Sequence, residues 1–210
     1  YLADLAPHGD ERPVLLMISA SFAGLLMPAL NVDSSRQHTE LPFFPWADAD
    51  GPAVALEELL TATGIDRATP SIVLDETMRA DFALLVLEAL PGASRRFTDD
   101  TVGYLRSRKD VAEYRALKAS ALLNDAAMAA GFAALRPGIT EREIASVIRD
   151  FYKANGATPE FTSVCFGPNG AFPHHHTGDT RLKPDDAVLI DTGARIQGYP
   201  SDMTRVGFFG

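Results

Sequence analysis

The residues best suited to chemistry stand near the end of the chain, in Ala187-Val-Leu-Ile-Asp191-Thr-Gly193 and Gly198-Tyr-Pro-Ser-Asp202-Met-Thr204-Arg205. Both flanks read as strands, and Arg195 to Gly198 between them reads as a turn. A hairpin pivoting on Ile196-Gln197 puts Asp191 directly opposite Asp202. Side chains of such a pair leave the same face of the sheet, with Cβ atoms ~4.5–5.5 Å apart. Two carboxylates that close repel each other, so one takes up a proton or both share a cation. A pair of divalent metals ~3.5–4 Å apart fits between and beside them. The plain alternative is two turn-adjacent residues, one near Gly193 and one after Pro200-Ser201. Aspartate is a poor strand former, however, and two at mirrored positions favour the metal reading. Thr204 follows Asp202 on the same face, where its hydroxyl could support a metal-bound water or ligand. Arg205 faces the other side, where a neighbouring acid can pair with it.

A second constellation is Pro173-His174-His175-His176-Thr-Gly-Asp179. In an extended segment His174 and His176 point one way and His175 the other. Imidazoles ligate metals, shuttle protons or bind anionic groups near neutral pH. A polar surface loop explains any one of them taken alone. The nearby aspartates point to function for one of the three, without choosing which. Cys165 has no protease signature around it and reads as a buried structural thiol. Thr140-Glu-Arg-Glu143 is a capping box, which gives Glu141 and Glu143 a structural role and no chemistry. Phe166-Gly-Pro-Asn-Gly-Ala171 lacks the spacing of a nucleotide-binding loop.

The elements that must position these groups read as alternating strands and helices. Strands are expected at Val14–Ile18, Gly24–Pro28 and Ile72–Leu74, with a polar segment from Asn31 to Glu40 and a Pro- and aromatic-rich extended piece at Leu41–Trp46. Helices are expected at Ala53–Thr63, closing on Gly64, and at Glu76–Leu90, stopped by Pro91-Gly92. This is an α/β plan with a largely central sheet. Composition changes at the basic stretch Tyr104 to Lys109, a candidate boundary between domains at 1–105 and 106–210. Asp110 then caps a long helix whose Tyr114, Leu117, Ala121, Met128, Phe132 and Leu135 recur as one buried stripe. A second helix runs from the capping box to about Asn155. From Phe161 onward the chain is β: Phe161–Phe166, Ala187–Thr192 and Tyr199–Phe208.

Bulk properties bound the function. The 210 residues suffice for one large domain or two modest ones, and 46% apolar with 22% charged residues is ordinary for a globular protein. A net charge of −9 argues against a nucleic-acid surface. One cysteine excludes an internal disulfide framework and suits a reducing compartment, hence a cytoplasmic protein. The charge-free run Val14 to Leu30 approaches the length of a membrane span, but Ser19, Ser21, Gly24 and Pro28 interrupt it, and two buried strands explain it better. Tyr1-Leu2-Ala3-Asp4 has no character of a signal peptide.

Asn169-Gly-Ala-Phe-Pro-His174, Leu189-Ile-Asp191-Thr-Gly193-Ala and Gly198-Tyr-Pro-Ser-Asp202-Met-Thr-Arg205 together resemble the central signature of the pita-bread metallopeptidases. The likeness is greatest to the Xaa-Pro dipeptidases (prolidases) and aminopeptidases P. Leu105-Arg-Ser-Arg-Lys-Asp-Val-Ala-Glu113 is similar to the segment that opens that family's catalytic domain. Leu135-Arg-Pro-Gly-Ile-Thr-Glu141 is similar to its helix-to-helix turn. Residues 1 to about 105 resemble its creatinase-like N-terminal domain, entered at Tyr1-Leu2, with a first strand and helix expected before it.

The resemblance implies that Asp191 is the bidentate ligand of one metal and Asp202 the ligand bridging two. It implies that His174 holds or protonates the substrate near the scissile bond and ligates no metal. The implied reaction is hydrolysis of a peptide bond whose nitrogen belongs to proline, by a hydroxide bridging two divalent ions. Oxygen-rich ligation suits Mn²⁺, with Co²⁺ or Zn²⁺ as alternatives. The implied partners are proline-containing dipeptides or peptides and a second copy in a homodimer, with neither nucleic acid nor membrane. The family's site also needs one histidine and two glutamates from later strands, so this chain is expected to carry only part of it. Two other readings stand beside this one: a non-catalytic creatinase-fold binding protein, and a metal-free hydrolase such as creatinase.

Overall fold

The computed structural model describes residues 2, 3, 5 and 11–210. Tyr1 of the Tyr-Leu opening lies outside the described residues. Two compact units divide the chain, Tyr1–Ser107 and Arg108–Gly210.

In the first unit, apolar runs broken by turns give short strands: β1 (Leu15–Ile18), β2 (Ala23–Pro28) and β3 (Phe43–Trp46). β1 pairs antiparallel with β2, and β2 pairs parallel with β3. Between them Ala29–Ser35 forms a short helix, α1, that runs into the stretch expected to be merely polar. α2 (Ala53–Thr63) ends on Gly64 at φ +68, the left-handed residue that glycine adopts without a Cβ penalty. Leu56, Leu59 and Leu60 of α2 are buried against Leu26 and Trp46. Each such side chain contributes roughly 1.5–3 kcal/mol of transfer free energy. β4 (Ser71–Leu74) pairs parallel with β5 (Ser94–Phe97), which has no apolar alternation to announce it. α3 spans Ala80–Ala89, starting four residues later than expected. Asp75 Oδ1 accepts from the backbone N–H and hydroxyl of Thr77 at 2.7 and 2.5 Å, a turn that competes with helix there. A short helix, α4 (Val102–Ser107), closes the unit.

The second unit is built on two capped helices. Asp110 caps α5 (Val111–Ala133), and Thr140 caps α6 (Glu141–Ala154), each with a reciprocal bond from the glutamate three residues on. Four strands form its sheet: β6 (Thr158–Phe166), β7 (Asp186–Ile196), β8 (Tyr199–Pro200) and β9 (Met203–Phe209). β7 is central, antiparallel to β6 on one side and to β8 and β9 on the other. Val164 and Phe166 of β6, with Val188, Ile190 and Ala194 of β7, join Met128, Ile144, Ile148 and Tyr152 of the helices in one core. The opposite face of β7 carries Leu189 and Asp191.

The stripe expected on α5 is buried only in part: Met128 is buried, and Leu117, Phe132 and Leu135 are half-buried. Tyr114 and Ala121 are exposed, while Ala116, Ser120, Asn124, Ala127, Met128 and Gly131 are buried. Close approach explains the difference. A Cβ on Gly131 would lie 2.9 Å from Ile148 Cδ1, so the contact selects small residues over large apolar ones. Ser120 Oγ and Asn124 Nδ2 donate to the carbonyls of Ala194 and Thr192, at 3.2 and 3.0 Å, and bind the helix to β7. Among the described residues no helix is long and apolar enough to cross a membrane.

Candidate active site

Asp191 does not face Asp202. The ladder sets Asp191 opposite Thr204, with Ile196 opposite Tyr199. The hairpin therefore pivots on Gln197-Gly198, one residue later than expected. Both central residues have positive φ, +49 at Gln197 and +82 at Gly198, as a two-residue type I′ turn requires. The expected pivot would force β-branched Ile196 into that region, where bulky side chains clash. Gly198 takes the position instead. Asp202 thus lies two residues before Asp191's partner, exposed and between the paired segments of β8 and β9. Ser201 beside it is buried, its backbone N–H donating to Ala194 O at 2.8 Å.

Asp191 itself is braced from several directions. Thr204 Oγ1 donates to its Oδ1 at 2.7 Å. On its other side it pairs with Ser163 of β6. Behind it the next residue, Thr192, is fully buried, and its Oγ1 donates to Phe161 O at 3.0 Å. Tyr152 Oη donates to Asn124 Oδ1 at 2.5 Å and lies 3.3 Å from Thr192 Oγ1. This polar knot fixes the strand from the helix side, so the Asp191 carboxylate projects from a rigid base. At Gly193 an added Cβ would collide with Ser201 O and the Phe161 ring, which accounts for glycine in the Asp-Thr-Gly run.

A cleft of about 650 Å³ opens over this face, lined by residues that include Asp191, Thr204, Ser163, Cys165, His174 and His175. Phe161, Phe172 and Leu189 give it an apolar wall. Asp202 and His176 do not line it. The histidine run is not extended: His174 sits at φ +61 in a turn, which breaks the expected alternation. His174 and His175 consequently share the cleft, and His176 lies outside it.

Cys165 is buried, with its Sγ 3.7 Å from Ser163 Oγ. Burial pushes its thiol pKa up, and the Glu141 and Asp191 charges push the same way against the Ser163 hydrogen bond. A protonated thiol there is a poor nucleophile, in line with a structural role. Arg205 turns away from the cleft, 3.9 Å from Asp125.

Glu141 escapes a reading of the sequence because the capping box gives it a structural role. Only Glu143 closes the box, through Thr140 N and Oγ1 at 2.8 Å each. Glu141 is instead fully buried beneath the histidine loop and accepts from His175 Nε2 at 3.0 Å. Burial pushes its pKa up, but hydrogen bonds from Asn169, His175, Gly178 and Phe166 outweigh that and leave it below the ordinary carboxylate value. No sequence signal separates Glu141 from Glu143 except position: the first helical residue is not the one that reaches back to the cap.

The donors in the cleft suit a hard dication in kind but not in number. Oxygen ligands from a carboxylate and a hydroxyl are what Mg²⁺ or Mn²⁺ accept, yet such ions take about six ligands or more. Among the described residues no group of three or more His, Cys, Asp or Glu could hold a metal ion.

Residues 115–210 match metallopeptidase family M24. The chain is 33% identical over 162 residues to the putative dipeptidase YkvY of Bacillus subtilis, covering 76% of this chain and 44% of that protein. It is 27% identical over 194 residues to a Xaa-Pro dipeptidase of Pyrococcus horikoshii, covering 90% of this chain and 52% of the relative. The crystal structure of a dipeptidase from Pyrococcus horikoshii OT3 superposes with a TM-score of 0.83 at 29% identity, over 98% of this chain and 57% of that one. The chain spans about a third to a half of the length of the curated relatives it matches. Its mixed α/β architecture is that of the pita-bread prolidase structures, over roughly half their length. In residues 115–210, then, the chain is similar to part of a metallopeptidase domain of family M24.

Proposed function

We propose that the cleft over Asp191 is part of a metal-dependent peptidase site that hydrolyses the Xaa-Pro bond in dipeptides or at peptide N-termini. One observation carries the reading: Asp191, its hydrogen-bonded Thr204 and His174 converge on one cleft from three separate segments. The names of the relatives give the substrate class.

In this reading the Asp191 carboxylate would hold divalent metal, Mn²⁺ by preference, with Asp202, two residues from Asp191's ladder partner, as the expected further ligand. When bound, the metal supplies Lewis-acid polarisation of the scissile carbonyl and a nucleophilic water. Thr204 fixes one Asp191 oxygen and so leaves the other free to ligate. Phe161, Phe172 and Leu189 offer apolar contact to a pyrrolidine ring and exclude water beside it. The proline nitrogen has no hydrogen before cleavage and must gain a proton as its C–N bond breaks. His174, on the wall of the cleft, would deliver that proton or hold the substrate near the scissile bond. The 1–105 segment is read as a creatinase-like domain, 106–210 as the opening half of the catalytic one, and the assembly as a cytoplasmic homodimer.

A second reading, a non-catalytic binding protein of the same fold, draws on the exposed Asp202 and the short ligand set. Chelation separates the two. The complete protein should cleave an Xaa-Pro dipeptide, lose that activity in EDTA and regain it with Mn²⁺. Turnover indifferent to EDTA, or none after Mn²⁺ is restored, contradicts the proposal.

A further inference from the structure

One buried carboxylate gathers both stems of the histidine loop. Glu141 Oε1 accepts from Phe166 N at 2.9 Å and Asn169 Nδ2 at 2.8 Å, both ahead of the loop tip. Its Oε2 accepts from Gly178 N at 2.9 Å and His175 Nε2 at 3.0 Å, both beyond Pro173. An ionised carboxylate only accepts, so His175 carries a proton on Nε2. The backbone of His175 is held as well: its carbonyl accepts from Ser163 Oγ at 3.4 Å, and Ser163 is the ladder partner of Asp191. His175 is therefore anchored by its ring to α6 and by its backbone to the strand beside the aspartate. The preceding residue, His174, keeps φ +61, a conformation that non-glycine residues hold only where the surroundings over-determine it.

We propose that the Glu141–His175 pair positions His174, by fixing the backbone from which that imidazole enters the cleft beside Asp191. The inference rests on the reading of the cleft as an Xaa-Pro peptidase site. His175 acts through His174 and is a positioning residue. An anchored neighbour removes the torsional freedom that would let the His174 ring swing away from a bound peptide. Neutral polar contacts would close the loop, but the charged acceptor gives shorter and stronger bonds than they would.

The test compares His175→Gln, whose amide still donates towards Glu141, with His175→Leu, which cannot. In the complete protein, His175→Leu should lower kcat by on the order of 10²-fold, as a displacement of about 1 Å does, with KM and bound Mn²⁺ within about two-fold of wild type. His175→Gln should recover most of that loss. Imidazole NMR supplies a readout free of turnover: His174 ring resonances should shift in the Leu variant and stay near wild type in the Gln variant. If His175→Leu does not fold, His175→Asn, too short to reach Glu141, takes its place. A folded variant without the donor that keeps wild-type kcat and unmoved His174 resonances overturns the proposal, as does a Gln variant that falls as far as Leu. A wild-type protein inactive on Xaa-Pro dipeptides defeats the peptidase reading instead, and the NMR comparison then decides the positioning role alone.

Discussion

Thr204 Oγ1 donates to Asp191 Oδ1 at 2.7 Å directly across the β7–β9 ladder. The threonine fixes the carboxylate rotamer and leaves the second oxygen to the cleft. Thr204→Val keeps the β-branched shape and removes the donor. We expect roughly 10-fold weaker Mn²⁺ binding, at the low end of what loss of a ligand-orienting group costs, with fold stability nearly unchanged. Calorimetric titration of the complete protein with Mn²⁺ checks it.

The Gln197-Gly198 turn sets which residue faces Asp191. At φ +82 with nothing near its missing Cβ, Gly198 is required by conformation and not by space. Gly198→Ala should cost about 1 kcal/mol in urea unfolding, because alanine must hold a left-handed backbone. Gln197→Asn should raise stability by roughly a few tenths of a kcal/mol, since asparagine tolerates positive φ better at the first position of this turn. Equal stabilities for all three proteins would contradict the type I′ assignment.

Glu141 predicts an acid limb. Its folded pKa lies below the unfolded value of 4.5, despite burial, because four donors favour the anion. The stabilisation it provides is present above that unfolded value and is lost as pH falls through the lowered folded one. Wild-type unfolding free energy should therefore drop as pH falls below about 4.5, and Glu141→Gln should show a shallower drop from a lower starting point. Parallel acid limbs in the two proteins would show that another group carries the effect.

Much of this was legible because the signals were local. Asp110 announced its helix as a capping residue and Thr140 through a capping box, and Gly64 announced a helix end. What stayed hidden depended on contacts. β5, Ser94-Arg-Arg-Phe97, is exposed at every residue, so no apolar period marks it. Apart from Met128, the buried face of α5 carries small and polar residues, because β7 and α6 approach it closely. The ladder register turned on which residue accepts positive φ, and weighing Gly198 against Ile196 would have found it. His174 and His175 share the cleft because the loop turns at His174, and the His175 ring beside that turn bonds to Glu141, a residue more than thirty positions away in sequence.

The claim on which the account depends is that the Asp191 carboxylate ligates a catalytic dication. Its most direct test is the Mn²⁺ stoichiometry and Xaa-Pro hydrolysis of the complete protein with Asp191→Asn, an isosteric change that removes the charge. The account predicts less bound metal and turnover lower by at least about 10³-fold, the scale of several kcal/mol of lost transition-state stabilisation. An Asp191→Asn protein that binds Mn²⁺ as wild type does and still cleaves the dipeptide would contradict it.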